Sequence, residues 1–194
     1  MSPRILQRVA REPGVLAESD KWRTPPPLHL ALDSEFDFVL DLAADETNRL
    51  YVNYLGSGSW LAEDALTVNW RAQAERVESQ DWPSRTRQSP CLWGFLNPPY
   101  SSQLIKQFVE YTVEQTRLDF GVVVLLPDTH DTQWYRHLRW ASEIRRIPHR
   151  VPYLKADGST KAGAMFPSCV AIFRPQPGVR NPSPRVVEWT WRQE

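Results

Sequence analysis

The stretch that most restricts how this chain can fold is Asn97-Pro98-Pro99-Tyr100. The apolar run Leu92-Trp93-Gly94-Phe95-Leu96 precedes it and Ser101-Ser102 follows it. Five apolar residues in a row predict a short buried strand. The two prolines end it in a stiff turn, because proline fixes φ and has no N–H for a sheet ladder. A helix is expected from Ser102. Leu104, Ile105, Phe108, Val109, Thr112 and Val113 recur on one face at helical spacing, and Ser101 or Ser102 suits the N-cap. A carboxamide, a carbonyl followed by proline and an aromatic ring are thus gathered at the C-terminal edge of a strand, where open α/β sheets bind ligands.

These groups suit methyl transfer to a planar amine. The Asn97 side-chain oxygen and the Pro98 carbonyl can each accept a hydrogen bond from one N–H of an amino group. That draws the nitrogen from planar toward pyramidal and frees its lone pair. Tyr100 can stack on the ring bearing the amine, as aromatic side chains do for a base turned out of a duplex. No strong general base is required, since the proton can leave once the nitrogen is cationic. The plainer alternative is an ordinary Pro-rich turn in a chain with 17 prolines. Asn and Tyr flanking the pair between strand and helix favour the functional reading.

A length of 194 residues suits one domain with a substantial core, and the formal net charge is zero. The distribution of charge says more. Between residues 33 and 64 eight acids (Asp33, Glu35, Asp37, Asp41, Asp45, Glu46, Glu63, Asp64) face only Arg49. Between residues 136 and 161 Arg136, Arg139, Arg145, Arg146, Arg150, Lys155 and Lys161 outnumber Glu143 and Asp157. An acidic front suits a cationic cofactor and a basic rear suits a phosphate backbone, although charge runs are usually solvated faces. Cys91 and Cys169 read as small buried hydrophobes in a reducing compartment. Neither a signal peptide nor a membrane-length apolar run is evident, so a cytoplasmic protein is expected.

Residues 1–20 read as a mobile basic arm and residues 21–174 as the main domain. A Pro-rich tail is expected over 175–194, with Trp189 and Trp191 able to pack back. Thr24 is a candidate N-cap for a helical turn or two over 28–32, with proline just inside. Phe36-Asp37-Phe38-Val39-Leu40-Asp41-Leu42 is the first convincing strand. Its Asp41, followed by the small Ala43 and Ala44, either holds the amino-acid end of a cofactor or, with Asp45, caps a helix. Gly56-Ser57-Gly58-Ser59 reads as a loop, since it has no strand before it and no Lys for phosphates. A surface helix is expected over 71–80, a loop over 81–90, a buried strand over 120–126 and another strand over 143–147. His130, in the polar loop after Pro127, is either catalytic or a hydrogen-bonding loop residue, the latter favoured. Strands over 151–154 and 166–173, around a Gly-rich connection, suggest an antiparallel pair closing a mostly parallel sheet.

Taken in order, several segments resemble the small Dam-like DNA adenine-N6 methyltransferases of phages and prophages. They are Trp22-Arg23-Thr24-Pro25, the run from Phe38 to Ala44, Glu63-Asp64-Ala65-Leu66 before Asn69-Trp70, and Asn97-Pro98-Pro99-Tyr100-Ser101. Leu125-Leu126-Pro127 before Asp131-Thr132-Gln133-Trp134-Tyr135, and Phe166-Pro167-Ser168, complete the set. The resemblance covers roughly residues 20–174 and implies the S-adenosylmethionine-dependent methyltransferase fold. That fold is α/β and Rossmann-like, a seven-stranded mixed sheet with helices on both faces. It implies S-adenosyl-L-methionine as cofactor and adenine in double-stranded DNA as substrate. By position, Asn97 and Pro98 would hold the amine, Pro99 would fix the turn and Tyr100 would stack on the flipped base. Asp41 would lie near the methionine end of the cofactor, with Ala43 beside it, and Asp64 near its adenine, while Thr24 and Pro25 would line the same pocket. The chain departs from the pattern at Thr129-His130, where relatives tend to carry Arg-Thr, and the connection over 71–90 looks longer.

Two alternatives use the same residues. One is a methyltransferase acting on RNA or on a protein glutamine, since Asn-Pro-Pro-Tyr also occurs in such enzymes. The other is a cofactor-free relative that only binds nucleic acid or a partner protein. The complete amine-holding motif weighs against the second, because binding alone has no need of it.

Overall fold

The computed structural model describes residues 22–81, 91–155, 157–160, 166–175 and 183–191. The expected N-terminal arm, the 82–90 connection and most of the Gly-rich connection lie outside them.

Helix α1 (Pro26–Phe36) is longer than the two turns expected, and its first turn is built from prolines that have no N–H to leave unpaired. Pro25, not Thr24, occupies the N-cap position, and no side chain closes the cap. The helix stops at Asp37, whose left-handed φ of 53° sends its N–H back to the Asp33 carbonyl at 2.8 Å. The strand expected over 36–42 is therefore shorter. Strand β1 (Leu40–Asp41) is flanked by Val39 N–H bonding Trp93 O and Leu42 N–H bonding Phe95 O.

Helix α2 (Trp70–Asp81), strand β2 (Trp93–Leu96) and helix α3 (Ser102–Thr116) follow the periodicities closely. All six residues of the apolar face of α3 are buried. Strands β3 (Gly121–Pro127), β4 (Glu143–Ile147), β5 (Ser168–Phe173) and β6 (Arg185–Glu188) complete the sheet. Its order is β1-β2-β3-β5-β4-β6. The first three are parallel, β5 runs antiparallel to both β3 and β4, and β6 lies parallel to β4.

Three expectations change. The antiparallel partners of β5 are β3 and β4, not residues 151–154, where Leu154 makes only isolated bridges to Arg23 and Thr160. Residues 185–188, from the stretch read as a tail, form β6, and Trp189 and Trp191 pack on the core. The described residues give six strands rather than seven. On the side of β1 away from β2, Tyr54 makes a parallel bridge to Asp41, with Asp41 N–H to Asn53 O and Leu55 N–H to Asp41 O. That segment holds the place of a further strand without its length. The chain thus leaves β1 to one side and returns on the other as β2. Such a reversal opens a crevice at the C-terminal ends of the strands.

Two cores flank the sheet, as alternation along the strands requires. On one face Val122, Val124 and Leu126 meet Trp70 of α2 and Ile105 and Val109 of α3. On the other, Phe95, Val123 and Leu125 meet Leu28, Leu32 and Phe36 of α1. Arg145 of β4 ties α1 down: two 2.6 Å bonds reach Glu35 and Nε reaches Glu143 at 2.7 Å. The guanidinium also lies over the rings of Phe36 and Trp189. Removing the buried cation strands two carboxylates, with solvent reaching the Glu35 side. Arg145→Ala is expected to lower the unfolding free energy by about 2 kcal/mol. A urea midpoint unchanged from the parent would contradict that role. Among the described residues no helix is long and apolar enough to cross a membrane.

Candidate active site

Asn97 follows the last residue of β2, and its carboxamide is held at both ends. Nδ2 donates to Trp22 O at 3.1 Å, and Oδ1 accepts from the Tyr100 hydroxyl at 2.8 Å. Pro98 is buried, and Pro99 turns the chain into α3. The Tyr100 ring meets Trp22, Tyr153 and Phe166 edge-on, with centroids 5.6–6.4 Å apart. Trp22 and Phe166 stack on each other at 5.6 Å. Burial pushes the Tyr100 hydroxyl well above its ordinary pKa, so it stays a donor at working pH.

Asn97 and Pro99 line a cavity of about 570 Å³ that also takes in Thr24, Asp41, Ala43 and Asp64. Pro25, Pro98 and Tyr100 do not line it themselves; each is the chain neighbour of a residue that does. Asp41 is only 4 % exposed. Its Oδ2 accepts the Leu50 N–H at 3.0 Å and its Oδ1 the Ala43 N–H at 3.4 Å. Burial raises its pKa to about 6, the two N–H bonds oppose the rise, and the charge of Asp45 adds to it. No helix starts here. Asp45 instead closes the turn at 46–48, accepting from Thr47 and Asn48. Asp64 Oδ1 accepts the Leu66 N–H at 2.8 Å and caps the 3₁₀ turn Ala65–Thr67.

Asp45, Glu63, Gly56 and Ser57 also line the cavity, although no local pattern in the chain marks them for it. Arg23 is the single cation among the described lining residues. Thr24 Oγ1, on a residue 3 % exposed, has no hydrogen-bond partner within the protein. The loop at 56–59 is recognisable as part of the wall only once Tyr54 has paired with β1. Gly56 sits at φ 139°, and a Cβ there would lie 2.0 Å from Ala44 O. Gly56→Ala must therefore move the wall of the cavity, and a loss of about 3 kcal/mol or more is expected. A melting temperature within a degree of the parent would contradict this.

His130 follows β3, and Arg145 lies within β4. His130 reaches Asp128 at 3.2 Å and Arg146 at 2.5 Å and packs on the Tyr135 ring, the pattern of a hydrogen-bonded loop residue. Arg145, counted in the basic rear half, is committed to Glu35 and Glu143. The arrangement as a whole offers a carboxamide oxygen beside an aromatic cluster on the wall of a cavity. The same wall carries carboxylates and small residues.

The family of DNA N-6-adenine-methyltransferases (Dam) matches this chain over residues 15–183. No curated protein matches it.

Proposed function

The chain belongs to the DNA N-6-adenine-methyltransferase (Dam) family, and from that premise we propose that it methylates the exocyclic amine of adenine in double-stranded DNA from S-adenosyl-L-methionine, in a Rossmann-like methyltransferase fold. The observation that carries the reading is that Asn97 and Pro99 share one cavity with Asp41 and Asp64, at the C-terminal edge of neighbouring strands.

The residues fit the cofactor. Four carboxylates on the wall suit a ligand bearing a sulfonium and an ammonium, and the orphaned Thr24 hydroxyl gains a partner. Ala43, Ala44 and Gly56 keep the wall thin enough for backbone approach, and the volume is that of a typical cofactor site. Bound there, the cofactor supplies an electrophilic methyl group. Asp41 holds the cationic amino-acid end and Asp64 the adenosine end. The chain's part in the transfer is to prepare the amine. The Asn97 oxygen and the Pro98 carbonyl each accept one amino N–H, and Tyr100 presents its ring to the flipped base. With those bonds made, the amine's lone pair is free toward the methyl group that the cofactor would supply, and the extra proton on nitrogen would leave afterwards.

Calorimetric titration with S-adenosylhomocysteine tests the cofactor half. One-to-one binding is expected, with a native-state stabilisation of about 2.7 kcal/mol at a hundred times the dissociation constant. An absence of both heat and thermal shift would leave a protein that binds nucleic acid without the cofactor.

A further inference from the structure

The Asn97 carboxamide is clamped by two segments that also pair with each other. Arg23 N–H donates to Leu154 O at 2.8 Å and Leu154 N–H to Arg23 O at 3.0 Å. The residue before each of these reaches toward Asn97. Trp22 accepts from Nδ2 through its carbonyl. Tyr153 acts through an intermediary, its hydroxyl lying 2.9 Å from the Tyr100 hydroxyl, which donates to Oδ1. Tyr153 is fully buried, and its hydroxyl also lies 3.3 Å from Ser168 Oγ.

Proton counting gives this chain a direction. One N–H of Nδ2 goes to Trp22 O, which turns Oδ1 toward Tyr100 as an acceptor, and Tyr100 has one proton to give. Tyr153 must then donate to the Tyr100 oxygen, and Ser168 to the Tyr153 oxygen. Leu125 O, 3.4 Å from the Tyr100 hydroxyl, is a competing acceptor. Donation from Tyr153 occupies a lone pair of the Tyr100 oxygen and leaves its proton for Asn97. The sense of the relay matters for the reaction. With Oδ1 fixed toward Tyr100, its second lone pair is left to accept an amino N–H. A carboxamide turned over would set Nδ2, a donor, against that donor.

We propose that Tyr153, with Ser168 behind it, is a positioning residue that fixes the Asn97 carboxamide through the Tyr100 hydroxyl. The inference rests on the reading of Asn97 as the amine acceptor. Burial keeps the Tyr153 hydroxyl protonated, with its pKa raised to about 12, so the relay holds its donor over the whole working range.

Tyr153→Phe removes one hydroxyl and keeps the ring, so the aromatic packing survives. The expected result is a fall in kcat of about tenfold, with KM for DNA and the dissociation constant of S-adenosylhomocysteine unchanged. In a Tyr100→Phe background the same change should cost nothing further, because the relay runs through the Tyr100 hydroxyl. Losses that multiply in the double variant, or a change confined to KM, would overturn the proposal. The Asn97 side-chain amide resonance in a 15N–1H spectrum gives a reading that needs no activity. It should shift and broaden in Tyr153→Phe, and an unmoved resonance would overturn the positioning role. Should the parent protein fail to methylate adenine, the functional reading falls while this resonance still decides the relay.

Discussion

Replacing Asn97 with alanine is expected to slow methyl transfer by about a hundred- to a thousandfold, the scale seen when one preorganised hydrogen-bonding group is removed from a reacting centre. The carboxamide oxygen is the one side-chain acceptor that the turn after β2 brings to the cavity wall, and a methyl group in its place accepts no hydrogen bond. The protein should still fold. The substitution forfeits the bonds to Trp22 and Tyr100, each worth about 1 kcal/mol, at a half-buried position. Binding of S-adenosylhomocysteine should survive, because Asp41 and Asp64 lie on other elements. Turnover within a factor of three of the parent would show that the amine is prepared by some other group.

Asp41→Asn is the second large effect. The change keeps the shape of the side chain and removes its charge. Cofactor affinity should drop on the order of a hundredfold, as when one partner of a buried, hydrogen-bonded charge pair is lost. The parent should also show a pH signature that the variant lacks. The ligand-free carboxyl has a pKa of about 6, raised by burial. A cationic ligand favours the charged form, so binding lowers that pKa and expels a proton. Affinity should then climb from pH 5 to 7 by up to about tenfold per unit below 6, and flatten above. The ligand-free fold runs the other way. Its folded-state pKa is the raised one, so it binds the proton more tightly than the unfolded chain does. Its stability from this group is full below the unfolded value near 4 and declines as pH rises through 6. Titration calorimetry at three pH values checks the sign, and a flat profile would remove Asp41 from the cationic end of the ligand.

Much of this arrangement is written in local sequence. The 92–113 stretch states its strand, turn and helix outright, because a five-residue apolar run, a Pro-Pro step and a 3.6-residue repeat leave little for tertiary contacts to decide. The strand over 120–126 is legible for the same reason. Other parts depend on partners far away in the chain. Asp37 ends α1 by entering the left-handed region, which turns an apparent seven-residue strand into a two-residue one. The pairing of β5 with β4, and the return of 185–188 to the sheet beyond a run of prolines, depend on register with strands that sequence periodicity cannot choose between. Of the site, Asn97 and Asp41 stand out as polar groups beside strand signals, and Asp64 is reached only through the family resemblance. Gly56 and Tyr153 do not. Gly56 looks like one glycine of a loop until Ala44 O is found against it, and Tyr153 becomes informative only when its hydroxyl meets that of Tyr100.

The most direct test is transfer of labelled methyl from S-adenosyl-L-methionine to unmethylated duplex DNA, with nucleoside digestion and mass spectrometry and with Asn97→Ala beside the parent. N6-methyladenine formed by the parent, and cut by at least about a hundredfold in the variant, is the predicted result. Cofactor bound but no methyl on adenine, or equal labelling by both proteins, would contradict the account.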